Sequence, residues 1–283
     1  MTLIQEKIFD GERPLYGSHD LELHSVTIGE GESGLKNSRS IMAKHCRFEG
    51  MYVLWECEDV ECTDCHFAAS DRAPLWYGRN IRLYDCRINA PKALRELHNL
   101  TLRNVRIKNA AETLWFCCDG QLSDIRMDNA EYAFFQSSNL CINNVTLHGK
   151  YTFQYARNIE IHNAVLNTKD ALWESRDCTI YDSEIKSEYL GWYAKNLRLV
   201  RCHISGTQPL CYCENLTLED CTFASDADLA FEYSTVRATI LSPVTSIKNP
   251  ISGSIVCQSC GEIIHDNFAR KPDNCRITTD TDN

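Results

Sequence analysis

Between residues 169 and 192 the chain sets charged and aromatic side chains at matching intervals. Lys169-Asp170 precede Trp173-Glu174, and Glu188-Tyr189 precede Trp192 in the same way nineteen residues later. If the two segments stack as neighbouring strands, Asp170 and Glu188 lie one rung apart, ~4.8 Å in the stacking direction, and offset by one residue. That is near the separation of the acid and nucleophile in a retaining glycosidase. A more splayed pair would suit an inverting one. Lys169 beside them would lower the pKa of one carboxylate. Alternatively Lys169, or Arg95 beside Lys92, is the base of a lyase that takes a proton next to a uronic carboxylate. The plain reading is an ion pair in which Lys169 neutralises Asp170 or Glu188. Asp170, Glu188 and Lys169 are the candidate catalytic residues. The sequence contains no G-x-S-x-G elbow, Walker loop or H-E-x-x-H helix to suggest another chemistry.

The same intervals run through most of the chain. A column of Trp55, Trp76, Arg95, Trp115, Phe135, Gln154, Trp173, Trp192, Cys211 and Phe231 follows a column of mostly leucine, from Leu54 to Leu210. Adjacent positions of a strand face opposite ways. A continuous exposed row of leucine is a large unprotected apolar patch, so the aromatic column is expected to face outward, where a sugar polymer would stack. The flanking columns hold Lys92, Glu112, Tyr189 and Gln208 on one side and Glu174, Tyr193, Tyr212 and Glu232 on the other. Tyrosine, tryptophan, carboxylates and amides gathered on one side read as a binding face. The expected substrate contacts are Trp173, Trp192, Tyr189, Glu174, Gln208, Glu112, Trp115, Lys92, Arg95 and Glu232.

A scaffold must repeat to hold such columns, and it does. Asp20, Ser40, Asp59, Asn80, Asn99, Asp119, Asn139, Asn158, Asp177, Asn196 and Asn215 open eleven coils of 19–21 residues. One and three residues after each comes an apolar side chain, the period of a strand with one buried face. Five after comes a second polar column, including Asp64, Asp85, Asn104, Asp124 and Asn144. Asn and Asp tolerate left-handed backbone, so both columns suit tight corners, and stacking would make an Asx ladder. A fixed period near twenty signals a solenoid. The expected fold is all-β, a right-handed parallel β-helix. Residues 1–19 are expected to cap one end, 20–234 to form the β-helix, 235–269 to hold degenerate last coils and a C-terminal cap, and 270–283 to be an unstructured tail.

A formal charge of −10 argues against nucleic acid and against anionic membrane surfaces as partners. The first residues lack the pattern of a secretory signal and no apolar run suits a membrane helix, so a cytoplasmic protein is expected. The chain holds 16 cysteines. Cys46, Cys65, Cys86, Cys202 and Cys221 share a column with Val26, Val105, Val145 and Ala164, as small buried hydrophobes do. Cys257 and Cys260 form a lone C-x-x-C that His265 and Cys275 would complete as a zinc set only on paper. No cofactor and no metal are expected, and the expected partner is an oligosaccharide.

These columns resemble those of the pectin-lyase-like single-stranded right-handed β-helix superfamily. More closely, the chain resembles a bacterial family of such proteins that is a domain of unknown function. The matching blocks are Gly11-Glu12-Arg13, Gly31-Glu32-Ser33 with Leu35-Lys36, Glu112-Thr113-Leu114-Trp115, Lys169-Asp170-Ala171-Leu172-Trp173, Glu188-Tyr189-Leu190-Gly191-Trp192 and Phe231-Glu232-Tyr233-Ser234, within roughly residues 7–265. The resemblance implies the fold. Many superfamily members cleave or bind polysaccharides, which extends to this chain only as analogy. The triple-aspartate constellation of polygalacturonase-type members is missing.

Overall fold

The computed structural model describes residues 1–266 and 274–280. The protein is an all-β parallel solenoid of about 14 turns, like a right-handed β-helix. It divides into two compact units, Met1–Thr146 and Leu147–Asn283. Both follow the same construction. In the first, Arg39–Lys44 lies parallel to Glu58–Thr63 with Ile41 opposite Val60 and Ala43 opposite Cys62. In the second, Val165–Lys169 lies parallel to Glu184–Glu188 with Leu166 opposite Ile185 and Lys169 opposite Glu188. Equal apolar positions thus stack on one another and form the core.

The corners explain why asparagine and aspartate lead each coil. All eleven lead residues, Asp20 through Asn215, have φ between 50° and 61°. The second polar column, from Ser25 to Asp220, has φ between 49° and 57°. Side-chain amides then link neighbouring corners. Asn80 donates to Asp59 at 2.8 Å, Asn99 to Asn80 at 2.7 Å, and Asn139 to Asp119 at 2.9 Å. In the second unit Asn196 donates to Asp177 at 2.6 Å and Asn215 to Asn196 at 2.8 Å. The expected Asx ladder is present.

The third side differs from the expected strand. Alternate residues there take positive φ, as at Lys92, Leu94 and Glu96 or at Asp170, Leu172 and Glu174. These segments are turns whose N–H groups bond alternately to the rungs before and after: Leu172 to Thr152 O at 2.9 Å, Glu174 to Trp192 O at 2.9 Å. Leu54, Leu75, Leu94, Leu114, Phe134, Phe153, Leu172 and Leu210 all sit in this left-handed state and are fully buried.

The turns exceed the expected eleven because both ends extend the repeat. Thr2–Gln5 pairs with His19–His24, Thr2 opposite Leu21, so the segment expected as a cap is a rung. Thr235–Lys248 pairs with Ser252–Ile264, which pairs in turn with Asn274–Thr279. Residues 274–279 are therefore a strand and not part of a loose tail. Of the rest of that expected tail, Asp280 is described and 270–273 and 281–283 lie outside the described residues.

The cysteines of the core columns, Cys46, Cys57, Cys65, Cys86, Cys117, Cys202, Cys213 and Cys221, are free thiols. Cys46, Cys65, Cys86, Cys202 and Cys221 are buried, each donating to a carbonyl of the preceding rung at 3.4–3.5 Å. Cys57, Cys117 and Cys213 do the same in another column at 3.1–3.2 Å, where Ser137 and Ser234 make the equivalent bond at 2.6–2.7 Å. Burial pushes the Cys57 and Cys117 thiols up to about 12. Cys275 is in register with Gly253, four positions along the strand from Cys257, so the paper zinc set is spread over ~13 Å of strand.

Candidate functional site

Residues 169–214 of the second unit carry most of the expected site. Lys169 and Glu188 face each other across two strands, and Lys169 Nζ lies 3.1 Å from Glu188 Oε2. The Glu188 carboxylate holds the Lys169 ammonium above its ordinary pKa. This pairing favours the ammonium over the neutral amine that a lyase base requires. Its ammonium also rests 5.2 Å from the Tyr189 ring centre. Asp170 bonds through its N–H to Glu188 O at 2.9 Å, so the two carboxylate residues are stacked with the one-residue offset expected. Asp170 is 7% exposed. Burial raises its pKa, Lys169 opposes this, and Glu188 adds to it. A carboxyl held toward the neutral form beside a carboxylate in an ion pair is an arrangement that can donate a proton.

The tryptophans are half-buried and the leucines before them are fully buried. Their flat faces, however, are turned toward other rings. Trp173 and Trp192 centres lie 5.5 Å apart, Tyr193 and Tyr212 are stacked at 4.8 Å, and Tyr212 approaches Tyr233 at 5.7 Å. The Trp192 indole N–H is already used on Gln208 O at 2.8 Å. Stacking at rung spacing consumes faces and leaves mainly edges to solvent.

The open space lies next to that column. A hollow of about 360 Å³ is lined by Glu174, Arg176, Tyr193, Lys195, Tyr212 and Glu214. Lys195 pairs with Glu214 at 2.7 Å. Arg176 makes no ion pair among the described residues. Arg176, Lys195 and Glu214 were not among the expected site residues. They stand in register on successive coils. A cation at 157, 176 and 195, just before the corner Asx, is visible in the sequence and could have pointed to them. A larger hollow, about 710 Å³, lies on another side against the Arg201–Asp182 pair, His203 and Asp220.

Glu232 departs from its expected place. Tyr212 bonds through its N–H to Glu232 O, and Tyr212 stacks toward Tyr233, so Glu232 aligns with Cys211 in the tryptophan column. The coil is 20 or more residues long here, which shifts the register by one. Glu232 is 8% exposed and held by Lys248 at 2.9 Å in a mostly buried ion pair.

In the first unit Lys92, Arg95, Glu112 and Trp115 do come together, but as a closed set. Glu112 Oε2 lies 3.0 Å from both Lys92 Nζ and Arg95. Burial raises the Glu112 pKa, and the hydrogen bonds from Lys92 and Arg95 outweigh it, leaving the group below its ordinary value. The Arg95 guanidinium is sandwiched 4.4 Å from the Trp76 ring and 4.2 Å from the Trp115 ring. The indole N–H groups of Trp76 and Trp115 each bond to a carbonyl of the next coil at 2.6 Å. Arg95 takes the place of an aromatic ring in the stack. Arg95 and Lys92 share the Glu112 carboxylate, while Arg95 Nε is buried without a hydrogen-bond partner.

The sequence profile described as protein of unknown function, DUF3737, matches residues 2–278. The chain belongs to this family. No match was found among curated protein sequences. Among solved structures the DUF3737 chain is similar to PfbA, a surface adhesin of Streptococcus pneumoniae. The identity is 8% and the TM-score 0.34, over 95% of this chain and 86% of that one. It is also similar to the catalytic domain of a GH87 alpha-1,3-glucanase in complex with nigerose. There the identity is 8% and the TM-score 0.22, over 99% of this chain and 64% of that one. A third is QnrB1, a plasmid-mediated fluoroquinolone resistance protein, at 12% identity and TM-score 0.17, over 82% and 91%.

Proposed function

We propose that this DUF3737 protein binds a short saccharide in the hollow beside the tryptophan column of the second unit. The supporting observation is the lining itself: the stacked Tyr193 and Tyr212 rings between Glu174 and Arg176 on one coil and Lys195 and Glu214 on the next two. Saccharides are recognised by planar or fork-shaped hydrogen-bonding groups set around aromatic surface, and about 360 Å³ matches one or two sugar rings. Trp173 touches Tyr193 and Trp192 touches both tyrosines, while Tyr189 and the Gln208 carbonyl contact Trp192. Kinship with pectin-lyase-like β-helices and a cytoplasmic place of action, away from nucleic acid and membrane, belong to the same proposal. The test is a glycan array on the wild-type protein and on a Tyr193→Ala, Tyr212→Ala double variant. Selective binding by the wild type, weakened at least tenfold in the variant, is expected. Equal binding by both proteins sinks the proposal.

A second reading is catalytic and rests on Asp170. Its burial-raised carboxyl beside the Lys169–Glu188 pair would act as the acid, with Glu188 as its partner, on the saccharide bound alongside. Asp170→Asn and Glu188→Gln should each cut turnover of the array-identified sugar by at least a hundredfold and leave its affinity within threefold. Full turnover in both variants means that the site only binds.

A further inference from the structure

The Asx ladder of the first unit contains a chemical discontinuity. Asn99 gives its amide hydrogens to Asn80 Oδ1 at 2.7 Å, which leaves its own Oδ1 as an acceptor toward the next coil. The next corner is Asp119, opposite Asn99 in the register that pairs His98 with Cys118 and Leu100 with Gly120. A carboxylate has no hydrogen to give, and Asp119 Oδ1 is already accepting from Asn139 at 2.9 Å. Two acceptors therefore meet at this step.

Other aspartates of the same column have a cation beside them. Asp59 stands next to the strand positions Arg39 and Arg79, which flank Glu58 in register. Asp177 stands next to Arg157 and Arg176, also in register. At Asp119 the equivalent positions hold His98 and Cys118 instead. Cys118 Sγ lies 2.9 Å from His98 Nδ1. One ligand atom from each of His98, Cys118 and Asp119 falls within 4.8 Å of the other two, a gathering found nowhere else among the described residues. His98 and Asp119 are exposed and Cys118 is half-buried.

We propose that His98, Cys118 and Asp119 bind one divalent cation of the zinc class, with its fourth position open to water. An imidazole, a thiolate and a carboxylate are the mixed donors such an ion takes in tetrahedral coordination. The ion would supply a positive charge at this corner, where the neighbouring strand positions hold His98 and Cys118 in place of arginine. Binding displaces the thiol proton of Cys118 to solvent, so metal uptake releases a proton. Without the ion, burial and the neighbouring Asp119 carboxylate hold the Cys118 thiol above its ordinary pKa, and Arg79, in register with His98 on the preceding coil, opposes this only in part. Asn139 orients the carboxylate from behind, as outer partners of metal ligands do.

The probe is cobalt(II) added to chelator-stripped protein under a thiol-free reductant, followed by competition with zinc. One equivalent is expected to give a thiolate-to-cobalt charge-transfer band in the near ultraviolet, lost when zinc is added. Cys118→Ser should abolish the band, and His98→Ala and Asp119→Asn should each weaken zinc binding at least tenfold. Asp119→Asn keeps an acceptor for Asn139, so the ladder and the fold are retained. Cys141→Ser, at another half-buried thiol, should change nothing. A wild-type protein without the band, or a band that survives Cys118→Ser, overturns the proposal.

Discussion

At the residue scale, the least comfortable side chain in the core is Asp71. It is fully buried, and neither carboxyl oxygen has a hydrogen bond. By the register of the turns it stands in line with Gly50, Ala90, Ala110 and Ala130, all buried positions for small residues. Burial raises its pKa well above the carboxylate range. A group with a raised folded pKa stabilises relative to its charged form below the unfolded value, ~3.9, and that contribution is lost as pH rises through the folded value. Asp71→Ala is therefore expected to stabilise the protein by about 1–3 kcal/mol at pH 8, and by clearly less at pH 4. Urea unfolding at both pH values measures it. An equal gain at both would mean that the carboxyl is not desolvated. The sequence could not show this residue as buried, because the coil from Asp59 to Asn80 has 21 residues and blurs the column at that point.

At the element scale, the corners were legible and the third side was not. Asn and Asp at fixed spacing announce left-handed backbone because their side chains suit it. The Leu/Phe column carries the same conformation without any polar mark. Its signal was one of omission, since no Val, Ile or Thr occurs among the positive-φ residues described. Branching at Cβ clashes in the left-handed region. The aromatic column's outward side followed from parity, but the loss of ring faces to stacking follows only from the rung spacing of the folded chain. The same geometry makes a sharp test. Leu172 has φ of 60° and is fully buried. Leu172→Met should cost less than ~1.5 kcal/mol, the usual range for a volume-conserving swap. Leu172→Ile, equal in volume but branched at Cβ, should cost roughly 1–3 kcal/mol more than the methionine variant because it adds left-handed strain. Matched unfolding midpoints for the two variants would show that the column is not constrained by its backbone.

At the scale of the molecule, a solenoid's stability is the sum of its coils and the interfaces between neighbours. The chain's charge pairs respect this. Lys169–Glu188, Arg201–Asp182, Lys195–Glu214 and Arg198–Glu219 each link adjacent coils. The fold was legible because the same requirement is written once per coil and errors in one coil do not propagate. The site was less legible because function occupies two or three coils, and a column read across eleven averages it away. Glu232 is the example: a single longer coil moved it from the edge of the groove into a mostly buried pair with Lys248. A whole coil should then be removable. Deleting residues 177–195 joins Arg176 to Asn196, and Arg176 already pairs in register with Lys195. This 19-residue deletion is expected to leave a folded β solenoid with an unchanged circular dichroism band shape. It would also remove Glu188, Tyr189, Trp192, Tyr193 and Lys195, and with them saccharide binding. Deleting 177–190 instead joins unlike positions, placing buried Gly191 where an exposed corner belongs, and should yield aggregated or unfolded protein. If both deletions fold equally well, the coil is not the unit of stability. If neither folds, coupling between the coils extends beyond nearest neighbours.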